Sequence, residues 1–237
     1  MNIALIGYGK MGQTIESIAI ERGHDVVLRI SIDNLEDFTS SNLRKADVAI
    51  EFTSPESAIG NIEKCMEAGL PVVCGTTGWL RHFQEVKKFC LDRNGAFLYA
   101  SNFSLGVNMF FEMNKMLARL MAPHNYNVSI KEVHHTAKLD APSGTAITLA
   151  QQIIAESFTK KQWVNHPAGQ KDDLLIESER VDPAPGTHIV TYRSAVDDIE
   201  IKHTAHNRQG FGLGAVVAAE FLKDKKGIFT MQDVLSF

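Results

Sequence analysis

Two adjacent histidines, His134 and His135, are followed three residues later by Lys138 and then by Asp140-Ala141-Pro142-Ser143-Gly144-Thr145. Imidazole exchanges a proton near neutral pH, and an ammonium group either holds a carboxylate or donates a proton. Ser143 has the chemistry of a helix N-cap. Gly144 and Thr145 would then present backbone N–H groups without helical acceptors, which makes an anion site. Together these groups suit a substrate that carries carboxylates and needs a proton. Two other readings of the histidines stand beside this one. They could be solvated loop residues, or zinc ligands, although adjacent residues rarely ligate one metal and no third ligand has fitting spacing. No metal is expected, and His203 and His206 are read as structural or surface groups.

A second motif lies at the start of the chain. Gly7-Tyr8-Gly9-Lys10-Met11-Gly12 is a GxGxxG that directly follows an apolar run and opens a helix-like segment. In a dinucleotide site the first glycine permits the tight turn and the second lets backbone approach a pyrophosphate. The third lets helix and strand pack closely while the helix N-terminus faces the phosphates. A plain βα turn is the bland alternative. The acid that would bind ribose hydroxyls at the end of the second strand is replaced by Ser31, with Asp33 two residues on, and Lys10 is near. The choice between NADH and NADPH therefore stays open. Gly75-Thr76-Thr77-Gly78 and Ala100-Ser101-Asn102-Phe103 follow later strands and are expected to share the carboxyl edge with the glycine loop, where a nicotinamide and its ribose would lie.

These motifs need elements to hold them. Strands are expected at Asn2 to Ile6, Val26 to Ile32, Val48 to Phe52, Pro71 to Cys74 and Ala96 to Ala100. Helices between them carry apolar residues at i, i+3, i+4 spacing and end at Gly23, Gly69 and about Asn94. Strands separated by helices imply right-handed crossovers and a parallel, doubly wound sheet. After Asn102 the pattern changes to a helix from about Val107 to Met121, a strand Asn127 to Val133, a loop His134 to Ser143 and a helix from about Gly144. Strands at Leu174 to Val181, His188 to Ser194 and Ile199 to Ala205 follow, with a hairpin turn at Val196-Asp197-Asp198. Trp163 to Asp173 reads as loop. This is α+β with an open mixed sheet. A last helix, about Gly214 to Lys223, is expected to return to the first domain, because it needs a sheet face to cover. The division predicted is a dinucleotide-binding domain over 1–104 joined by 213–237, and a substrate and oligomerisation domain over 105–212.

Composition narrows the classes. With 237 residues, 44 % hydrophobic and 22 % charged, the chain is ordinary for a globular protein with a substantial core. A formal charge of −4 gives no basic excess for nucleic acid. Cys65, Cys74 and Cys90 show no CxxC or ligand spacing and read as buried free thiols of a reducing compartment. The first strand leaves no room for a signal peptide, and no apolar run approaches the ~20 residues needed to span a bilayer. A cytoplasmic location is expected, with no membrane partner.

In GYGKMG, EFTSPE, GTTG, ASNFSLGVN, EVHHTAKLDAPSGTA, GTHIVTY and IKHTAHNR, the chain resembles the 4-hydroxy-tetrahydrodipicolinate (dihydrodipicolinate) reductase family over its whole length. HHxxKxDAPSGTA after GTTG and SNFS is the specific part. The resemblance implies a Rossmann-type N-terminal sheet and NADH or NADPH as cofactor. It also implies a small cyclic dicarboxylate as substrate, hydride transfer to C4 with loss of the 4-hydroxyl, and a homotetramer built through the second domain's sheet. It implies that His134 gives or takes a proton, that Lys138 donates one, and that His135, Gly144 and Thr145 bind substrate carboxylates. The cofactor would contact Gly7, Tyr8, Gly9, Lys10, Met11, Gly12, Gly75, Thr76, Thr77, Ala100, Ser101, Asn102 and Phe103. Lys10 stands where the family commonly has arginine, and residues 155–177 match no motif. Two rivals are another oxidoreductase on the same plan, which DAPSGT argues against, and a dinucleotide sensor without chemistry, which has little use for His134 and Lys138.

Overall fold

The structure is a computed structural model and describes residues 1–165, 170–207 and 209–236. It divides into a unit of Met1–Leu105 with Gln209–Phe237, and a second of Gly106–Arg208. The chain begins β1 (Asn2–Ile6), α1 (Lys10–Glu21), β2 (Asp25–Ile30), α2 (Ser40–Leu43), β3 (Val48–Glu51), α3 (Pro55–Glu67), β4 (Val72–Cys74), α4 (Phe83–Asp92) and β5 (Ala96–Tyr99). It continues through α5 (Leu105–Met121), β6 (Asn127–His134), α6 (Gly144–Glu156), β7 (Gln162–Val164), β8 (Asp173–Arg180), β9 (Thr187–Arg193) and β10 (Asp198–Thr204). It closes with α7 (Gln209–Leu222), β11 (Gly227–Phe229) and α8 (Met231–Leu235).

The first sheet is wholly parallel, in the order β11-β5-β4-β3-β1-β2. A parallel sheet is covered on both faces, which is why its strands are near-continuous apolar runs. In β1, Ile3 and Leu5 enter the core shared with α1, α7 and α8, while Ala4 and Ile6 enter the one built with α3 and α4. Pro55 at the first turn and Ser54 at the N-cap start α3, and Gly69, at φ +87°, turns the chain out of it. The three cysteines are free and buried.

The second sheet is mixed, in the order β10-β9-β6-β8-β7. Strand β6 runs parallel to β8 and antiparallel to β9. Its sequence alternates, so Val128, Ile130, Glu132 and His134 are buried, and Ser129, Lys131 and Val133 lie half-buried on the other face. Helices α5 and α6 cover the first face through Phe110, Ala118, Leu149 and Ile153, packed on Ile130, Ile176 and Val190. Each of the larger apolar side chains among these contributes about 1.5–3 kcal/mol on burial.

Some elements differ from the expectation. Trp79 to Asn94 is a single-turn 3₁₀ helix, Leu80–His82, followed by α4, because the Trp79 ring is buried and its indole N–H donates to the Thr76 carbonyl at 2.7 Å. The expected loop Trp163 to Asp173 contains the end of β7, an edge strand paired with β8; positions 166–169 lie outside the described residues. The hairpin turn closes between Ser194 and Asp197, with Asp198 already in β10. The last helix starts at Gln209 rather than Gly214, and β11 and α8 follow it.

Candidate active site

Strand β6 delivers Glu132 and His134 to the covered face of the second sheet, at the end where aliphatic core gives way to ionisable groups. His188 of β9 stands opposite Glu132 in the antiparallel register, and Arg180 of β8 beside His134 in the parallel one. The Ser143 amide donates to both Glu132 oxygens at 3.1 Å, and Arg180 Nη2 donates to Oε1 at 3.1 Å. Glu132 is wholly buried. Burial alone would raise its carboxyl, but the contacts from His134, Ser143, Ser178 and Arg180 outweigh that and hold it well below the ordinary glutamate range. His134 Nδ1 lies 3.3 Å from Glu132 Oε2, close enough for charge attraction but not aligned as a hydrogen bond. The His188 and His134 rings meet edge to face with centroids 5.0 Å apart. Burial and the His134 charge push His188 down to about 4, against the pull of Glu132.

The loop after β6 is tied to the same network. Arg180 Nη2 also donates to the Asp140 carbonyl at 2.6 Å, and Thr136 donates its N–H and hydroxyl to Asp182 at 3.1 and 2.5 Å. Lys138 Nζ pairs with Asp140 at 2.8 Å and is partly exposed. His135 is half-buried. Ser143 caps α6 as expected, its hydroxyl accepting from the Ala146 amide at 3.3 Å. Gly144 is exposed with open space about its α-carbon, and Thr145 is half-buried beside it. First-turn amides at 144 and 145 have no acceptor within a helix, which is the arrangement an anion site requires.

Glu132, His134 and His188 bring donor atoms within 4.8 Å of one another, the one such group among the described residues. The Arg180 guanidinium and the Ser143 amide already occupy the carboxylate, and a cation beside Arg180 would be repelled. The cluster is therefore a hydrogen-bonded ion network. In the sequence Glu132 opens a motif and His188 an expected strand, but neither is given a role there, and Arg180 is not named. The available signal was the alternation of β6, which puts a glutamate and a histidine in line with Val128 and Ile130. His203 packs its ring on Phe110 at 6.0 Å, and His206 is exposed.

In the first unit the loops after β1, β3, β4 and β5 emerge at one edge, because those strands are parallel neighbours. Gly7 has φ +100°, and a Cβ there would fall 2.0 Å from the Phe52 carbonyl oxygen. A Cβ on Gly12 would fall 2.4 Å from the Gly7 carbonyl oxygen, which is the close helix–strand approach the motif requires. Gly9 caps α1 with nothing within 4 Å of its Cβ position and no side-chain cap on the helix amides. That open backbone at a helix start fits a dinucleotide pyrophosphate. Phe52 joins the loops, since its ring excludes a Cβ at Gly75 and packs 5.7 Å from the Phe103 ring. Thr76 is buried and its hydroxyl accepts from the Thr53 amide at 2.7 Å, while Thr77 is exposed. Ala100 and Asn102 are half-buried and Ser101 is exposed on the same edge. Tyr8 is turned onto Glu16, which also holds Arg29; Lys10 is exposed and Met11 half-buried. Ser31 is engaged in a local turn, its amide and hydroxyl donating to Asn34 Oδ1 at 2.8 and 3.2 Å.

Comparison with known proteins places this arrangement. Residues 1–103 match the model for the dihydrodipicolinate reductase N-terminus, and residues 106–235 that for its C-terminus. A 4-hydroxy-tetrahydrodipicolinate reductase of Christiangramia forsetii is 53 % identical over 237 residues, covering 100 % of this chain and 98 % of the relative. One from Methanopyrus kandleri is 38 % identical over 199 residues, 81 % of this chain and 72 % of its own. The fold is shared with a dipicolinate-bound dihydrodipicolinate reductase from Paenisporosarcina sp. TG-14, with a TM-score of 0.78, 24 % identity and 97 % of each chain covered. Matched along both halves, and 53 % identical to a curated relative from end to end, the chain belongs to the dihydrodipicolinate reductase family.

Proposed function

We propose that the chain reduces 4-hydroxy-tetrahydrodipicolinate to tetrahydrodipicolinate with NADH or NADPH, in diaminopimelate and lysine biosynthesis. The observation that carries the reading is the stretch Glu132 to Thr145, in which a buried imidazole, an ammonium group and a capped helix start follow one another. Bound reduced nicotinamide supplies the hydride for C4 of the ring. Gly7, Tyr8, Gly9, Lys10, Met11 and Gly12 form the phosphate loop, and Gly75, Thr76, Thr77, Ala100, Ser101, Asn102 and Phe103 line the remainder of the nucleotide site. Ser31 carries no charge to repel a 2′-phosphate, which supports use of both nucleotides. His135 and the Gly144 and Thr145 amides hold the substrate carboxylates. Lys138 donates a proton as the 4-hydroxyl leaves as water, the neighbouring ring carbon gives up its proton to solvent in that elimination, and after hydride reaches C4 His134 returns a proton to the ring carbon next to it.

In this reading residues 1–104 with 213–237 bind nucleotide, and 105–212 bind substrate and form a homotetramer through the sheet of that domain. A cytoplasmic location goes with the pathway, and among the described residues no helix is long and apolar enough to cross a membrane. The test is loss of absorbance at 340 nm when the product of the preceding synthase is added with either nucleotide. No loss with both would end the reading, and the kcat/KM ratio for NADH against NADPH measures the preference.

A further inference from the structure

The geometry points to Glu132 as the positioning residue of the reaction, its carboxylate holding His134 through Nδ1 so that Nε2 is the nitrogen offered to the substrate. This rests on the reductase reading and on His134 as its proton donor.

His134 Nδ1 is buried and makes no aligned hydrogen bond; the Glu132 carboxylate, paired with it at 3.3 Å, is the charged oxygen that a proton on Nδ1 would turn to. A buried ring nitrogen left without such a partner is unfavourable, so the neutral ring keeps its proton on Nδ1 and its lone pair on Nε2. The far side of the ring is kept clear by Gly186, where a Cβ would come within 3.2 Å of Nε2. Glu132 can do this because its charge is secured elsewhere. The Ser143 amide and Arg180 together hold it as a carboxylate, and Ser143 is also the cap of α6. The residue that starts the anion-binding helix therefore also fixes the carboxylate that orients the proton donor. A carboxylate behind an imidazole selects its tautomer and stabilises the imidazolium.

The other ionisable groups around the ring do not compete for this role. His188 of β9 stays neutral through burial and presents Nε2 to Ser143 Oγ at 3.1 Å and to Glu132 at 3.7 Å. Lys138 is engaged with Asp140, Asp182 with Thr136, and Arg180 with Glu132 and the Asp140 carbonyl. His203 of β10 faces His188 in the register, and the charge that His135 feels nearby is that of Asp182.

The test uses full-length enzyme, the synthase product and either nucleotide. Glu132→Gln is expected to lower kcat roughly 10²-fold with KM for nucleotide within about twofold. Removing the negative charge disfavours the imidazolium, so the alkaline limb of the kcat–pH profile should move down by about one pH unit. Glu132→Asp, which keeps the charge, should leave the limb in place. ¹⁵N-histidine NMR of the wild type above that limb, with His134 identified by signal loss in His134→Gln, should show the Nδ1–H tautomer, and this arm stands even if Glu132→Gln does not fold. An unmoved limb in a folded Glu132→Gln, or an Nε2–H tautomer in the wild type, overturns the inference alone. A wild type inactive with both nucleotides overturns the reductase reading and the inference with it.

Discussion

His188 shows how a single buried side chain ties this fold to pH. In the folded chain it takes a proton only near 4, against 6.5 ordinarily, because burial disfavours its charge. The unfolded chain binds that proton first, so the stability His188 contributes is complete above pH 6.5 and is lost as the pH falls toward 4. The full window is worth about 3 kcal/mol. Glu132, held below its ordinary value of 4.5, adds a loss of the same sign at still lower pH. The melting temperature should therefore drop between pH 7 and 5, and His188→Gln should flatten that drop; equal slopes would place the acid sensitivity elsewhere. Replacing His134 with Gln should cut kcat by roughly 10²-fold, because a glutamine keeps the shape and carries no exchangeable acid. A wild-type rate would move proton transfer to another group. His134, His135, Lys138, Gly144 and Thr145 were legible from sequence because their types stand close together in one stretch. Arg180 and His188 were not, because β8 and β9 bring them to β6 only through the pairing of the sheet.

At the scale of elements, the glycine loop makes a separable prediction. A Cβ at Gly12 must push α1 off β1, since it would lie 2.4 Å from a backbone oxygen. A Cβ at Gly9 meets no other atom within 4 Å, so the conflict expected of it is with the pyrophosphate proposed to bind there. Gly9→Ala should therefore keep the thermal midpoint within a few degrees and weaken nucleotide binding at least tenfold, whereas Gly12→Ala should lower both. Fluorescence titration with NADH alongside thermal melts distinguishes them, and a Gly9→Ala that binds normally would remove the phosphate from that turn. The βαβ run was readable because buried parallel strands are continuous apolar segments. Glycine disfavours a helix interior, so Gly210 and Gly212 carry no sequence signal for a helix that starts at Gln209. The structure instead uses Gly212 to admit Ile18 and Thr14 of α1, and Gly214 to admit the Phe103 backbone. Strands β7 and β11, three residues each at sheet edges, carry too few side chains for a period to show.

For the whole molecule the decisive feature is the second sheet, whose two faces differ among the described residues of its unit. Helices α5 and α6 cover the side with Ile130, Ile176 and Val190, while Lys131, Glu179 and Ile189 lie on the other. Lys131 and Glu179 pair there at 2.8 Å, and Thr191 donates to Glu200 at 3.3 Å. A half-apolar, half-charged sheet surface with hydrogen bonds already made along it suits a second sheet laid face to face. Ile189 pairs with Lys131 and Lys202 at the centre of the three antiparallel strands. A carboxylate placed there would be desolvated by a facing sheet and tolerated by water. As the proposed homotetramer, the wild type should elute with four times the chain mass in light scattering, and Ile189→Asp should shift it to smaller species. Nucleotide binding should survive the change, since the loops that make that site belong to the other unit. Retention of the fourfold mass by Ile189→Asp would put the assembly on a different surface.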